Sequence, residues 1–578
     1  MKLNEKYADC DWQKAINTIE HHTDEYVRTD NSLVVRRGQP FKFTARLNRP
    51  FASAIDVLKI YLKFGPNPTP SNGTAITIEE QSEEIGWYLT IDSVSGNDVT
   101  CSITSPPDAL IGRYKCGIHL ETNDEETLDE EPDIIMLCNP WCEEDEVYLS
   151  GVAEREEYVL NQYGAIWRGT VRKSSPCPWI FGQFEDKVLD TALHLIMNDK
   201  RIKANKGISK AADPVWVSRI LSAGANCSDD NGVLTGNWTG DYSGGVSPVT
   251  WNSSVNIIQQ YAETKRPVKY GQCWVFSGLT TTLLRAVGIP ARSVTNFASA
   301  HDTDNTMTID DFVHEDNEKI EGLSGDSVWN FHVWNEAWLN GTGHWPKKYA
   351  GWAAIDATPQ EESFGMMQCG PAPIKAVKEG EIYIGYDSSF VFGEVNADRV
   401  TWICKTGDSE DSVYVDSLGS RRTKAVGFNI STKPVGGEIG GRIAPQILTD
   451  DYKYPESSEE ERRAWQTAYN FGSKPHHLSK FLNVEDEGKV VNINISTVPE
   501  VPVNGEDLTV NVTVENVTED DISISLNTVL YSCLYTGQKK HFVTQDKYKN
   551  RYILAQSGKL LFDLPYVKSH GSLFLFSR

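Results

Sequence analysis

The sequence predicts a multidomain α+β chain: an all-β segment, a mixed segment of helices and strands, then a second all-β segment. Three observations carry this. The 578 residues exceed the ~250–300 that one hydrophobic core can serve, so about three or four domains are expected. Short runs with period-two alternation occupy both ends of the chain. Helical periodicity occupies the middle.

The first all-β stretch runs from about Leu33 to Leu137. There SLVVRRGQPFKFTARL, DVLKIYLKF, DVTCSITS and GRYKCGIHLE alternate apolar and polar residues between Gly, Pro and Asn breaks, the pattern of a β-sandwich. The acidic LCNPWCEEDEVYLS marks a boundary, and the middle segment begins near Glu146. Within it KVLDTALHLIMN, DPVWVSRILSA and WNSSVNIIQQYAETK read as helices, with Asp213 placed to cap the second and Pro214 in its first turn. After Ala464 a loop containing Lys474, Pro475, His476 and His477 is expected to lead into VVNINISTVP, LTVNVTVENV and ISISLNTVLYSC, which alternate again.

The formal charge of −25 sets nucleic acid and anionic lipid aside as partners, because binding to either begins with Lys and Arg neutralising phosphates. The same carboxylates suit hard cations such as Ca²⁺, and equally suit plain solubility. MKLNEKYADCDWQKAINTIEHH holds no apolar core of signal-peptide length, and no other run nears the ~20 apolar residues of a membrane span. A cytoplasmic chain is expected, with export open only to a route that uses no signal peptide. The 11 cysteines are dispersed from Cys10 to Cys533 with no CxxC pair, so reduced thiols are expected.

Chemistry concentrates in three segments. In YGQCWVFSGLTTTLLRAVGIPAR, the residues Val275, Phe276, Leu279, Leu283, Leu284 and Val287 recur at helical spacing before Gly288 and Pro290 stop the helix. Cys273 thus stands at a helix N-terminus, where free N–H groups and the macrodipole favour a thiolate over the ordinary thiol of pKa ~8.5. A buried core cysteine is the competing reading. SVWNFHVWNEAWL places His332 in a strand, with Asn330 and Trp334 on its face and Trp329, Phe331 and Val333 on the other. Asp356 is the single acid of the apolar strand AAIDATP and demands a partner, which an adjacent strand pairing with His332 supplies. A Cys, His and Asp grouping is what nucleophilic acyl transfer needs: His takes and returns the thiol proton, and Asp fixes its tautomer.

YGQCWVFSG, WNFHVW and GWAAIDATPQE resemble the catalytic segments of animal transglutaminases, in the same order and at similar spacing. The resemblance extends from HHTDEY and LVVRRGQPF through WIFGQFED, GNWTG, FVFGEVNADRVTW and YKYPESSEEER to about Ala464. It implies an immunoglobulin-like β-sandwich over residues 1–145, a papain-like α/β catalytic core over 146–470 and a C-terminal β-barrel over 488–578, incomplete and without the family's second barrel. It implies Cys273 as nucleophile, His332 as acid–base and Asp356 as orienting acid. Trp238 of GNWTG matches the indole that helps hold the oxyanion, and Trp329 a wall of the amine tunnel. The implied reaction joins protein glutamines to lysines or other primary amines through a Cys273 thioester, with protein substrates as partners and a homodimer admitted. Lys173 stands where nucleotide-sensitive relatives place a stacking aromatic, which argues against nucleotide control.

Three calcium sites are implied by the same resemblance. HDTDNTMTIDD carries Asp302, Asp304, Thr306 and Thr308 at alternating positions, which by themselves read as a metal loop or a solvated acidic loop. The resemblance selects the metal loop, closed by Asp326. Asn396 and Asp398, with Glu456, Glu461 and the carbonyl of Thr423, resemble the family's activating site. The carbonyl of Ala223, with Asn226, Ser228 and Asp230, resembles a third, where Ser228 replaces the usual amide. Two other readings stand beside the enzyme: a non-catalytic scaffold or adhesion protein on this fold, and a papain-like thiol hydrolase. The intact Cys273, His332 and Asp356 oppose the first, and the paired tryptophans and metal motifs oppose the second.

Overall fold

The computed structural model describes residues 7–80, 86–122, 125–204, 207–320, 322–406, 413–437, 443–472, 478, 481–482, 491–498, 508–516, 521–533, 539–553 and 559–566. Contacts divide the chain into two compact units, one of residues 1–361 and 367–472, the other of 362–366 and 473–578. The first unit holds both the N-terminal sandwich and the mixed segment.

The sandwich is built from a four-stranded sheet, ordered Tyr7–Asp11, Pro40–Leu47, Asp98–Thr104 and Tyr88–Ser95, and a five-stranded sheet, ordered Leu33–Arg36, Glu125–Leu137, Gly112–Thr122, Asp56–Phe64 and Ala75–Glu79. Period-two alternation decides what faces inward: Phe41, Phe43 and Ala45 are buried while Lys42 points out. Arg37 ties this sandwich to the mixed segment. Its guanidinium grips Asp145 with two bonds of 2.6 and 2.7 Å and also donates to the carbonyls of Ala109 and Ala212. Both charges of that pair are buried, and bidentate geometry, with the guanidinium's remaining bonds going to backbone carbonyls, is what makes such burial tolerable. The acidic boundary segment read from the sequence is therefore a clamp between sandwich and core.

In the mixed segment the expected helices form at Val188–Asn198, Pro214–Ala225 and Val255–Thr264. Asp213 caps the second as read, accepting from the N–H groups of Val215 and Trp216. The helix Cys273–Ala286 is buried on every side, and its sequence is apolar or small except for Arg285, whose guanidinium donates to the carbonyls of Ala291 and Asn161. It ends as expected at Gly288, whose φ of +87° only glycine adopts without strain. The helix lies on a six-stranded sheet ordered Cys369–Pro373, Gly351–Asp356, Ser327–Leu339, Ala291–His301, Phe428–Thr432 and Gln446–Ile447. Hydrogen bonds lock the two together: Ser277 Oγ donates to the Trp334 carbonyl at 2.8 Å, and Asn335 Nδ2 donates to the Ser277 carbonyl at 2.8 Å. A second sheet pairs Thr308–Val313 in parallel with Asp398–Thr406, which pairs in turn with Val413–Arg422.

One boundary differs from the sequence reading. The helix Glu459–Phe471 runs past Ala464, because Trp465, Ala468 and Tyr469 bury at helical spacing and Ser458 caps its acidic first turn. The expected loop at Lys474–His477 lies outside the described residues.

The described strands of the second unit are all β. Val491–Val498, Leu508–Asn516 and Lys559–Tyr566 form one antiparallel sheet, and Ile522–Cys533 pairs with Lys539–Ile553. Val510, Val512 and Val514 are buried in alternation. The final SHGSLFLFSR lies outside the described residues.

Candidate active site

Cys273 is the first residue of its helix, comes after the extended Gln272, and is buried. Gln272 does not cap the helix with its side chain; its carboxamide donates instead to the Asn237 carbonyl at 2.9 Å and to the Tyr242 hydroxyl at 3.1 Å. The Val275 N–H bonds the Gln272 carbonyl at 2.8 Å, and with no side-chain cap the positive end of the helix is left to the thiol.

The pairing of Ser327–Leu339 with Gly351–Asp356 brings His332 to Asp356, as read from the sequence. His332 Nε2 lies 2.6 Å from Asp356 Oδ2, and both residues are buried. The Thr358 N–H donates to Asp356 Oδ1 at 2.8 Å, so the acid is held from two sides. With Nε2 committed, Nδ1, which is buried and without a hydrogen-bond partner, is the nitrogen left for the thiol. Burial lowers the His332 pKa, but the Asp356 carboxylate, the Cys273 thiol acting through a hydrogen bond and Glu394 together raise it well above 6.5. An imidazolium beside a thiol at a helix start is the arrangement that stabilises a thiolate.

Two residues at this site escaped the sequence reading. Glu394 is buried on the helix Ser388–Asn396, with Oε1 3.6 Å from His332 Nε2. Burial first, then the nearby Asp356, pushes its carboxyl up to about 8. Its signal was the one applied to Asp356, a lone acid in an apolar run, FVFGEV. Gln360 places Nε2 2.8 Å from Asp356 Oδ2 and 2.9 Å from His332 Nε2. A polar residue in a turn gave no such signal.

The tryptophans are both at the site. Trp238 lies just after the strand Leu234–Gly236, remains 45% exposed, and stacks on Phe276 at 6.5 Å and 10° between planes. Phe276 is one helical turn from Cys273, so the indole sits at the thiol end of the helix. Strand alternation assigned Trp329 to the face opposite His332, yet its ring meets the imidazole edge-on at 5.3 Å. Trp329 also contacts His301, whose Nε2 pairs with Glu361 at 2.8 Å.

The first calcium set is assembled. Asp302, Asp304 and Asp326 bring carboxylate oxygens within 4.8 Å of one another. Thr306 Oγ1 donates to Asp304 and meets Thr308 Oγ1 at 3.0 Å. Burial first, then Asp304 and Asp326, raises the Asp302 carboxyl well above its ordinary value, the signature of acids gathered with too little positive charge. Asp310, not read from the sequence, is buried beside them and pushed up to about 7 by burial.

The second set is divided between unpaired polar atoms and ion pairs, Glu456 Oε1 accepting from Lys453. Asn396 is buried with neither amide atom hydrogen-bonded, and Glu456 Oε2 is likewise unsatisfied. Asp398 and Glu461 are buried and taken up by arginine: Arg462 grips both, and Arg421 donates to Asp398 at 2.7 Å. Thr423 lies just beyond Arg421, in the bend after Val413–Arg422. The third set is not assembled in this way. Asn226 Oδ1 accepts from the Ser228 N–H and Asp230 Oδ1 from the Gly232 N–H, so these oxygens serve their own loop; Ala223 lies inside the helix Pro214–Ala225, and Ser228 and Asp230 face water.

Residues 8–121 match the N-terminal model of the transglutaminase family, and residues 241–357 match the core model of the transglutaminase-like superfamily. The chain is 43% identical over 455 residues to human protein-glutamine gamma-glutamyltransferase 4, a match covering 78% of this chain and 64% of that protein. It therefore spans just under two thirds of that relative's length. It is 38% identical to annulin from Schistocerca americana, over 92% of this chain and 69% of annulin. The crystal structure of red sea bream transglutaminase superposes with a TM-score of 0.69 at 32% identity, covering 97% of this chain and 79% of that one. With the thiol, imidazole and carboxylate placed as described, these matches identify the chain as a member of the transglutaminase family.

Proposed function

We propose that the protein is a calcium-dependent protein-glutamine gamma-glutamyltransferase in which Cys273 is the nucleophile. The observation that carries this reading is the 2.6 Å contact between His332 and Asp356, with the Cys273 thiol acting on the same imidazole from the start of a buried helix. In the first half-reaction the Cys273 thiolate attacks a glutamine carboxamide, and His332 delivers a proton to the departing ammonia, leaving a thioester. In the second a lysine or other primary amine attacks the thioester, His332 takes its proton, and an isopeptide bond releases Cys273. Trp238 supplies an indole N–H for the oxyanion, and Trp329 walls the approach of the amine.

Calcium is assigned to the set of Asp302, Asp304, Thr306, Thr308 and Asp326 and to the set of Asn396, Asp398, Glu456, Glu461 and the Thr423 carbonyl, with a weaker site at Ala223, Asn226, Ser228 and Asp230. When bound it supplies positive charge to crowded carboxylates and fixes the segments that carry them. The division into a sandwich at 1–145, a core at 146–470 and a β unit at 488–578 belongs to this reading. Incubation with a glutamine-bearing protein, a fluorescent amine and Ca²⁺ is expected to give covalent labelling that chelation and Cys273→Ala both abolish. Glutamine hydrolysis with no amine incorporation would instead favour a thiol hydrolase, and neither reaction would favour a scaffold.

A further inference from the structure

A small cavity with room for one ion or one water lies at the far end of the helix that bears Cys273. Its wall is formed by the last turn of that helix, the start of the strand Ala291–His301 and the end of the strand Phe428–Thr432. Arg285, which lines it, stands twelve residues along the helix from Cys273, about 18 Å at ~1.5 Å per residue. Glu157, Tyr158, Arg292 and Lys433 line it too, and all five side chains belong to buried residues. Glu157 and Tyr158 come from Glu156–Leu160, a π-helical turn, and such wide turns recur at functional sites.

Charge does not balance around this space. Lys433 Nζ lies 2.5 Å from Glu157 Oε2, and Arg292 lies 2.6 Å from the buried Glu336. Arg285 has no such partner. Its guanidinium donates only to the carbonyls of Ala291 and Asn161, and among the described residues no carboxylate pairs with it. Burial pulls its pKa down to about 10, with Glu157 the main group opposing, so it is still a cation at neutral pH. Three positive charges thus face two negative ones, and a buried surplus charge is costly until it is paired.

Hydrogen is in surplus as well. Of three ammonium N–H groups Lys433 uses one, and of five guanidinium N–H groups Arg285 uses three. The Tyr158 hydroxyl accepts from Arg292 at 3.3 Å, and among the described residues nothing accepts its own hydrogen. A water in the cavity would accept some of these hydrogens but bring two more and no charge. An anion accepts them all and supplies the missing charge.

We propose that this cavity is a binding site for one small monovalent anion, chloride or an ion of its size, held by Arg285, Arg292, Lys433 and the Tyr158 hydroxyl. The bound ion fastens the last turn of the Cys273 helix to two strands of the sheet that carries His332. It acts on stability and lies outside the acyl-transfer chemistry proposed above.

Thermal unfolding of the full chain, in chelator and at constant ionic strength, tests this as sodium chloride replaces sodium gluconate, whose anion is too large for the cavity. Chloride is expected to raise the midpoint along a saturable curve, by about 2 °C at tenfold excess over its dissociation constant. Arg285→Gln removes the surplus charge and is expected to flatten the curve, while Arg285→Lys keeps the charge and a response. Because R285Q also loses the bonds to Ala291 and Asn161, crystals of the parent grown in bromide decide the matter without a variant: an anomalous peak is expected in the cavity. Equal parent midpoints in the two salts overturn the proposal, as does a cavity without bromide in crystals that show bromide elsewhere. A chloride response as large in R285Q as in the parent does the same.

Discussion

Thr308 and Asp398 are register partners across a parallel strand pair, so one residue of each candidate calcium set stands side by side with the other. Asp398 is buried, and its carboxylate is held by Arg462 and Arg421; Arg462 also holds the buried Glu461. A calcium ion at this set has to take both acids from Arg462. Replacing Arg462 with Met is therefore expected to tighten calcium binding by about tenfold, which is ~1.4 kcal/mol. It is also expected to destabilise the calcium-free protein by about 3 kcal/mol, because the buried carboxylates lose their partner. Titration calorimetry and thermal midpoints with and without chelator read both effects. Equal calcium affinity in R462M and the parent would show that the arginine is no competitor.

The His332–Asp356 pair makes a prediction with a sharper chemical signature. Asp356→Asn preserves shape but presents an amide where the imidazole N–H needs an acceptor of full charge, so the ring loses its tautomer. The expected loss in kcat is about 10³- to 10⁴-fold, with substrate binding little changed. Loss of the carboxylate also lowers the His332 pKa, since Asp356 is the main group raising it. Steady-state amine incorporation and the pH dependence of Cys273 alkylation check the two halves. A D356N protein within tenfold of the parent would remove Asp356 from the machinery.

Much of this site was legible in the sequence because its parts obey local rules. Cys273 was placed by helix periodicity and a glycine stop, His332 by strand alternation, and Asp356 by being the one acid in an apolar strand. Long-range convergence was not legible in the same way. Gln360 sits in a turn, where a polar residue is expected whatever it does, and nothing in the charged run ESSEEERR marks Arg462 as the partner of Asp398. The contact of Trp329 with His332 was not legible because alternation fixes where Cβ points, whereas a large ring reaches past its own Cβ to the edge of His332. The end of the Glu459–Phe471 helix was misjudged because its last turns bury Trp465, Ala468 and Tyr469 against tertiary neighbours. Local propensity does not report those contacts.

The helix carrying Cys273 is positioned by an absence of side chain at Gly278. A methyl group there would stand 2.3 Å from Cε2 of Trp179, and the indole is pinned by its own hydrogen bond to Ser254 Oγ at 2.9 Å. A rigid buried ring cannot yield as a flexible chain end does. Gly278→Ala, ordinarily favourable within a helix, is here expected to cost about 1–3 kcal/mol through overpacking. Because the displaced helix bears the nucleophile, alkylation of Cys273 should slow as well. Thermal unfolding of G278A and of G278A/W179F measures the clash. A G278A protein as stable as its parent would show that the helix has room to shift.

Acid sensitivity of the N-terminal sandwich should trace to His21. This buried imidazole is committed to the neutral form by its neighbours: the Arg36 N–H donates to Nδ1 at 2.9 Å, and Nε2 bonds the Pro40 carbonyl at 3.1 Å. A proton on Nδ1 would set two donors against each other, close to the buried Arg36 guanidinium. Burial first, with Arg36 adding repulsion, lowers the His21 pKa to about 4 from 6.5. Between those values the unfolded chain binds a proton that the folded chain refuses. Stability is therefore whole above pH 6.5 and falls as the pH drops toward 4, by about 3 kcal/mol at the end of the window. His21→Gln can accept and donate at the same two places without titrating. Most carboxylates titrate alike in both proteins, so the difference between them isolates this residue. From pH 7 to pH 5 the parent should lose about 2 kcal/mol more than H21Q, seen as a gap of a few degrees opening between their thermal midpoints. Midpoints that fall in parallel would place the acid-sensitive group elsewhere.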